Sequence, residues 1–176
     1  ANIETIRVSR VFTGRDKVLM FDGKYHGHFD EALVELDEDG NLVPEEAGLP
    51  ANVTARTKVV RFNDPEALAV ALEPRDVAMV LTEPALTNNH GLILPEPGFH
   101  EALRRITRDA GTLLALDETH TQVVGAGGLT RQWGLEPDLV TIGKSIAGGV
   151  PFGAWGMTTE VAALLEQGMD EDPDVA

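Results

Sequence analysis

Apolar positions along this chain follow two rhythms. Lys17–Phe21, Thr57–Phe62, Val77–Thr82, Thr112–Asp117 and Leu139–Ile142 are short runs rich in aliphatic and β-branched residues, and they predict strands. Between them, Pro65–Leu72 behind an Asn63-Asp64 cap and Gly98–Ala110 predict helices. In the second, Phe99, Leu103, Ile106 and Ala110 recur at i, i+4, i+7 and i+11, which makes one apolar stripe. Ala1–Phe12 reads as an opening helix stopped by Gly14, with no capping residue before Ala1. Thr159–Gln167, with Val161, Leu164 and Leu165, reads as the last helix. Asp37–Ala51 is a polar excursion with glycine and prolines, expected to be a loop.

The runs Ala78–Leu81 and Leu113–Leu116 do not alternate apolar with polar residues. Strands covered on both faces behave this way, so the fold class is α/β: an open, mostly parallel sheet with helices on both faces. Ligands of such sheets gather beyond the carboxyl ends of the strands. That singles out Asp22–Gly27, Glu83–Gly91, Asp117–Thr121 and Gly143–Gly149.

Asp117 ends a fully apolar run, where a partly desolvated carboxylate calls for a cationic partner or else caps the next turn. Glu118 beside it reads as a solvated or structural carboxylate. Lys144 opens a segment in which Gly148, Gly149 and Gly153 surround Pro151 and let backbone approach something flat or bulky. A lysine shielded from water there would be an amine nucleophile; in isolation it would be an ordinary surface lysine. Tyr25 lies in a turn between Gly23 and Gly27 and suits stacking on a planar ligand, or plain packing. His26 and His28 only superficially resemble a metal pair, because no third nitrogen ligand stands at useful spacing, and no metal site is expected. Glu83-Pro84 leads into Leu86-Thr87-Asn88-Asn89-His90-Gly91, a substrate-side loop or a well-bonded turn. P-loop, dinucleotide-binding and serine-hydrolase motifs are absent.

Composition narrows the partners. The chain has 176 residues with 29 acidic against 14 basic, a net charge of −15, and its mean hydropathy is −0.08. Such a field repels phosphodiester backbones and anionic membrane surfaces, so neither nucleic acid nor membrane is an expected partner. Without cysteine there are no disulfides or thiolate chemistry. No apolar stretch reaches bilayer length and no signal-peptide pattern opens the chain, so the expectation is a soluble, cytoplasmic protein.

Taken in order, Phe12-Thr13-Gly14-Arg15-Asp16-Lys17, Phe21-Asp22-Gly23-Lys24-Tyr25-His26-Gly27, Glu83-Pro84, Pro95-Glu96-Pro97-Gly98-Phe99, Leu116-Asp117-Glu118-Thr119 and Gly134-Leu135-Glu136-Pro137-Asp138-Leu139-Val140-Thr141-Ile142-Gly143-Lys144 resemble the class III aminotransferases of pyridoxal phosphate fold type I. The flavour is that of glutamate-1-semialdehyde aminomutase and β-amino-acid transaminases. The resemblance implies pyridoxal 5'-phosphate as cofactor, with Lys144 as the Schiff-base lysine and Asp117 as the partner of the pyridine nitrogen. It makes Tyr25 the stacking aromatic with His26 beside it, and sets Glu83, and with it Asn88, on the substrate side. Most relatives have Asp-Glu-Val followed by Gln or Met, whereas Thr119 and His120 stand here. The expectation is that Thr119 lies under the ring and that His120 donates to the cofactor's phenolic oxygen. Ala85–Gly91 reads as about one residue longer than in the aminomutase pattern.

The resemblance casts residues 1–176 as the central part of the cofactor-binding large domain. The N-terminal segment, the phosphate-cup loops and the small C-terminal domain would then lie outside this sequence. It implies transfer of an amino group from a small-molecule donor to a keto or aldehyde acceptor in a homodimer. The alternatives are a 2,1-aminomutase of the glutamate-1-semialdehyde type and a non-catalytic scaffold.

Overall fold

The computed structural model describes residues 1–50, 52–88 and 91–171. Elements follow in chain order: α1 (Asn2–Thr13), β1 (Lys17–Phe21), β2 (Val34–Leu36), β3 (Leu42–Pro44), β4 (Thr57–Val60), α2 (Pro65–Leu72), β5 (Val77–Thr82), β6 (Leu86–Asn88), β7 (Gly91–Ile93), α3 (Phe99–Ala110), β8 (Leu113–Asp117), α4 (Gly128–Gln132), β9 (Leu139–Ile142), β10 (Ala154–Met157) and α5 (Thr159–Glu171). The main sheet runs β10-β9-β8-β5-β1-β4. Its pairings are parallel except for β10, which lies antiparallel on β9. This is the open, mostly parallel α/β sheet that unbroken apolar runs imply.

Strand pleating divides the core. On β1, Leu19 and Phe21 face one layer with Leu68 and Leu72 of α2 and Leu103 of α3. Val18 and Met20 face the other, with Ile6 of α1 and Val161 of α5. Every residue of β5 and β8 is buried. The helix ends follow local chemistry. Asp64 Oδ1 accepts the Ala67 N–H at 2.8 Å at the start of α2, and Gly14 closes α1 at φ 66°.

Phe21, Phe62 and Phe99 meet edge to face, with ring centroids 4.6–5.6 Å apart. Removing one ring leaves a hole that its neighbours fill only in part. Phe99→Ala is therefore expected to cost about 3–5 kcal/mol of unfolding free energy, read from the midpoint of a urea titration.

Three local readings need correction. The polar excursion is not all loop. Leu42–Pro44 pairs antiparallel with Val34–Leu36, because Leu36 and Leu42 pack on a small cluster of Val34, Val53 and Val59, while the Asp37 carboxylate holds the turn by accepting the Asp39 and Asn41 N–H groups. Ala51 lies outside the described residues. Likewise, Leu86–Asn88 pairs antiparallel with Gly91–Ile93, strand structure that the reading of this stretch as a loop or a well-bonded turn did not include. Asn89 and His90, on which the extra loop residue depends, lie outside the described residues, as do residues 172–176. Finally, β10 escaped sequence reading: a four-residue edge strand containing Gly156 has no strong strand pattern. Among the described residues no helix is long and apolar enough to cross a membrane.

Candidate active site

Loops leaving β1, β5, β8 and β9 converge at one edge of the sheet. The β1 loop turns at Gly23 (φ 80°) and Gly27 (φ 112°), which delivers the Tyr25 ring to the surface and the His26 ring to the interior. β8 ends at Asp117, only 2% exposed. Its Oδ2 accepts from Asn2 Nδ2 at 2.8 Å and meets His26 Nδ1 at 3.0 Å, while Oδ1 accepts the Thr119 N–H at 3.0 Å. Burial alone would raise the carboxyl's pKa. Hydrogen bonding and attraction from His26, with the Thr119 and Asn2 donors, more than offset burial and hold it well below the ordinary carboxylate range. A carboxylate that is anionic at neutral pH thus sits at the floor of the site.

Near the end of β9, the Thr141 hydroxyl donates to Asn2 Oδ1 at 2.7 Å. Asn2 so ties α1, β8 and β9 around the acid. Past Gly143 the chain enters Lys144 at φ 46°, in the left-handed region that a side chain rarely occupies.

A cleft of about 340 Å³ is lined by Tyr25, His26, Asp117, Thr119, Gly143 and Lys144, among others. Beside it a second hollow, about 370 Å³, takes in Tyr25, Asn88, His120 and Lys144. Lys144 Nζ lies 2.7 Å from His120 Nε2 and 5.8 Å from the Tyr25 ring centroid. Glu83, buried at the end of β5, meets His120 Nδ1 at 3.1 Å and accepts the Thr87 N–H at 3.1 Å. Residues nominated from four separate strand ends therefore share one place. Another cavity, about 410 Å³, lies between α3 and Trp133–Glu136, where Arg104 pairs with Asp138 and Arg108 with Glu136.

Several expectations change. Lys144 is exposed in this chain rather than shielded from water. Glu118 is structural and not solvated: it is 2% exposed, accepts the Leu129 and Thr130 N–H groups and the Thr121 hydroxyl, and so anchors the start of α4. A Cβ at Gly128 would collide with that carboxylate. His28 stands on the surface, 3.9 Å from Glu46. Among the described residues no three His, Asp or Glu side chains are grouped to hold a metal ion. His120 spends its Nδ1 edge on Glu83 and Thr87 and turns Nε2 toward Lys144.

Residues 1–170 match the model of the family described as aminotransferase class-III. The chain belongs to the class-III aminotransferases. A glutamate-1-semialdehyde aminomutase from Pseudomonas aeruginosa PAO1, solved in complex with PMP, is 44% identical at a TM-score of 0.87, over 92% of this chain and 36% of its own. An omega-transaminase from Sphaerobacter thermophilus is 37% identical at a TM-score of 0.83, over 92% of this chain and 39% of its own. A β-phenylalanine aminotransferase from Variovorax paradoxus is 32% identical at a TM-score of 0.73, over 93% of this chain and 36% of its own. This aminotransferase chain thus spans little more than a third of the length of those relatives.

Sequence reading of this class-III chain missed Asn2, Thr87 and Thr141. Each is a small polar residue whose place in the site comes from a partner on another element, 139 positions away for Asn2 and Thr141. An asparagine at the start of a helix looks like local capping chemistry, so no sequence signal marked it.

Proposed function

We propose that this chain carries the ring-binding and proton-handling part of a pyridoxal-phosphate-dependent amino-transfer site. The single observation that carries the reading is a buried Asp117 carboxylate sharing one cleft with the Lys144 amine and an exposed aromatic face, Tyr25. That donor set fits a flat, cationic heterocycle bearing a carbonyl. The buried His26 Nε2, which has no hydrogen-bond partner among the described residues, marks further polar capacity beside the acid.

Pyridoxal phosphate, when bound, supplies a carbonyl for amines and a protonated ring that accepts the electrons left as a substrate Cα–H bond breaks. Asp117 would hold the pyridine nitrogen, its negative charge keeping that nitrogen protonated. His26, Asn2 and the Thr119 N–H keep the acid oriented and ionised. Tyr25 would stack on the ring and Thr119 would lie beneath it. Lys144 would hold the cofactor through Nζ and, once released from it, act as the base that takes and returns the substrate proton. Its fixed position past β9 sets where that proton is handled. His120 stands beside Nζ with Glu83 behind it, and Asn88 lines the hollow where a substrate would enter.

Transfer of an amino group between a small-molecule donor and a keto or aldehyde acceptor is the favoured reaction. The 44% identity to an aminomutase favours, as second reading, return of the amino group to a neighbouring carbon of the same molecule. We further propose that the full protein works as a homodimer, with residues 1–176 as the centre of its large domain. Borohydride reduction of the full-length, cofactor-loaded protein followed by peptide mapping tests the assignment. Cofactor fixed on Lys144 is expected, and cofactor fixed on any other lysine overturns it. An amino acceptor that turns over without a separate donor would assign the mutase.

A further inference from the structure

We propose that His120, backed by Glu83, is the positioning residue and proton partner of Lys144. This rests on reading Lys144 as the cofactor-carrying amine, but it concerns the chain before cofactor arrives. Lys144 Nζ and His120 Nε2 stand 2.7 Å apart, a hydrogen bond that needs one donor and one acceptor. Two cations at that separation would repel, so the pair shares one proton. Either the lysine ammonium donates to a neutral imidazole, or an imidazolium donates to a lysine amine.

The far edge of the ring decides its tautomer. Nδ1 lies 2.6 Å from Thr87 Oγ1 and 3.1 Å from Glu83 Oε2. Thr87 donates its hydroxyl proton to Glu83, which leaves the Thr87 oxygen only lone pairs to offer Nδ1. Both atoms facing Nδ1 are acceptors, so Nδ1 carries the hydrogen and Nε2 presents a lone pair to Lys144. Glu83, 2% exposed, is the charge that compensates the ring when it gains a second proton. Carboxylate, imidazole and nucleophile stand in the order that activates nucleophiles elsewhere.

The step balances simply. A proton passes from Nζ to Nε2, the N–H electron pair remains on Nζ as the lone pair that attacks a carbonyl, and the positive charge moves to the ring beside Glu83. Other groups face the pair without taking this role. Tyr25 offers its ring face to Nζ, and Lys24 is spent on Glu45 at 3.0 Å. Glu35 and Glu45 line the same hollow, while Asp117 across the cleft is occupied by His26 and Asn2.

A free lysine loses amine reactivity tenfold for each pH unit of acidification. A lysine sharing its proton with an imidazole does not, because the imidazolium–amine form persists until the pair takes up another proton. Trace acetylation of the full-length, cofactor-free protein, with the Lys144 peptide quantified by mass spectrometry from about pH 5 to about pH 10, reads this directly. The wild-type profile is expected to rise tenfold per unit on the alkaline side and to level into a plateau at least about one unit wide on the acid side. His120→Gln keeps an acceptor but cannot take a proton, and its profile is expected to fall tenfold per unit throughout. Glu83→Gln is expected to lower the plateau about tenfold; a plateau at wild-type height would remove Glu83 from the proposal.

A purely structural His120 would rescale the whole profile by a constant factor. Unit slope across the wild-type range, or an unchanged plateau in His120→Gln, overturns the proposal. Should the variants fold poorly, ¹⁵N-histidine spectra of the wild-type cofactor-free protein decide, with the His120 ring assigned by its response to Lys144→Met. The Nδ1–H tautomer is expected, and Nε2–H refutes the arrangement. Borohydride mapping to another lysine would remove the functional reading while leaving this profile intact, so the two fail separately.

Discussion

Lys144→Ala is expected to lower the amine-transfer rate by about 10³-fold or more while leaving the fold in place. In the proposed function the lysine is asked both to hold the cofactor and to move the substrate proton, and a positioned acid–base group alone is worth about 10²–10⁴-fold. Stability should move little. The side chain is exposed and its only described polar contact is His120, so the change in unfolding free energy is expected to stay within about 0.5 kcal/mol. Steady-state rates of the full-length protein, set beside thermal melts of the same preparations, separate the two effects. Retention of wild-type turnover in Lys144→Ala would show that another amine carries the chemistry.

Asp117→Asn keeps the shape of the acid and removes its charge. Without the anion nothing holds a pyridine nitrogen protonated, and a loss on the order of 10²–10³-fold in turnover is expected, as for other single preorganised electrostatic contacts. The variant also carries a stability signature with a definite sign. The Asp117 carboxyl is held below its unfolded value of about 3.9. Its contribution is therefore fully present above that value and is lost as the pH falls through the lower, folded value. Wild type should exceed Asp117→Asn in stability at neutral pH, with the gap narrowing on acidification below about pH 4. Urea titrations at a series of pH values measure this, and a gap that widens toward acid would contradict the ion pairing drawn between Asp117 and His26.

The two effects differ in origin. Lys144 stands in the open on a left-handed backbone, where replacing it costs chemistry and little else. Asp117 stands inside the fold with three donors around it, where its charge serves the site and the structure together.

Much of the site was legible because strand ends announce themselves. An apolar run ending in Asp117, and a strand ending in Gly143-Lys144, put a carboxylate and an amine at the carboxyl edge of a parallel sheet whatever the details. What local sequence did not carry was whom each group would meet. Glu118 is a carboxylate like Asp117 and adjacent to it, yet it turns away to anchor α4 through Leu129 and Thr130. His120 read as a donor to the cofactor, and local sequence did not show that its Nδ1 edge would meet Glu83 and Thr87 and its Nε2 edge Lys144.

By itself the sequence determined the sheet, its order of apolar and polar segments, and the small set of residues able to do this chemistry, because hydrophobic periodicity and glycine-marked strand ends are local properties of the chain. Only the tertiary structure decided that Asn2 clasps Asp117, that His120 faces Lys144 and that Lys144 lies open to solvent. Those outcomes depend on contacts between residues dozens of positions apart, and burial and hydrogen-bond pairing exist only once the strands are laid side by side.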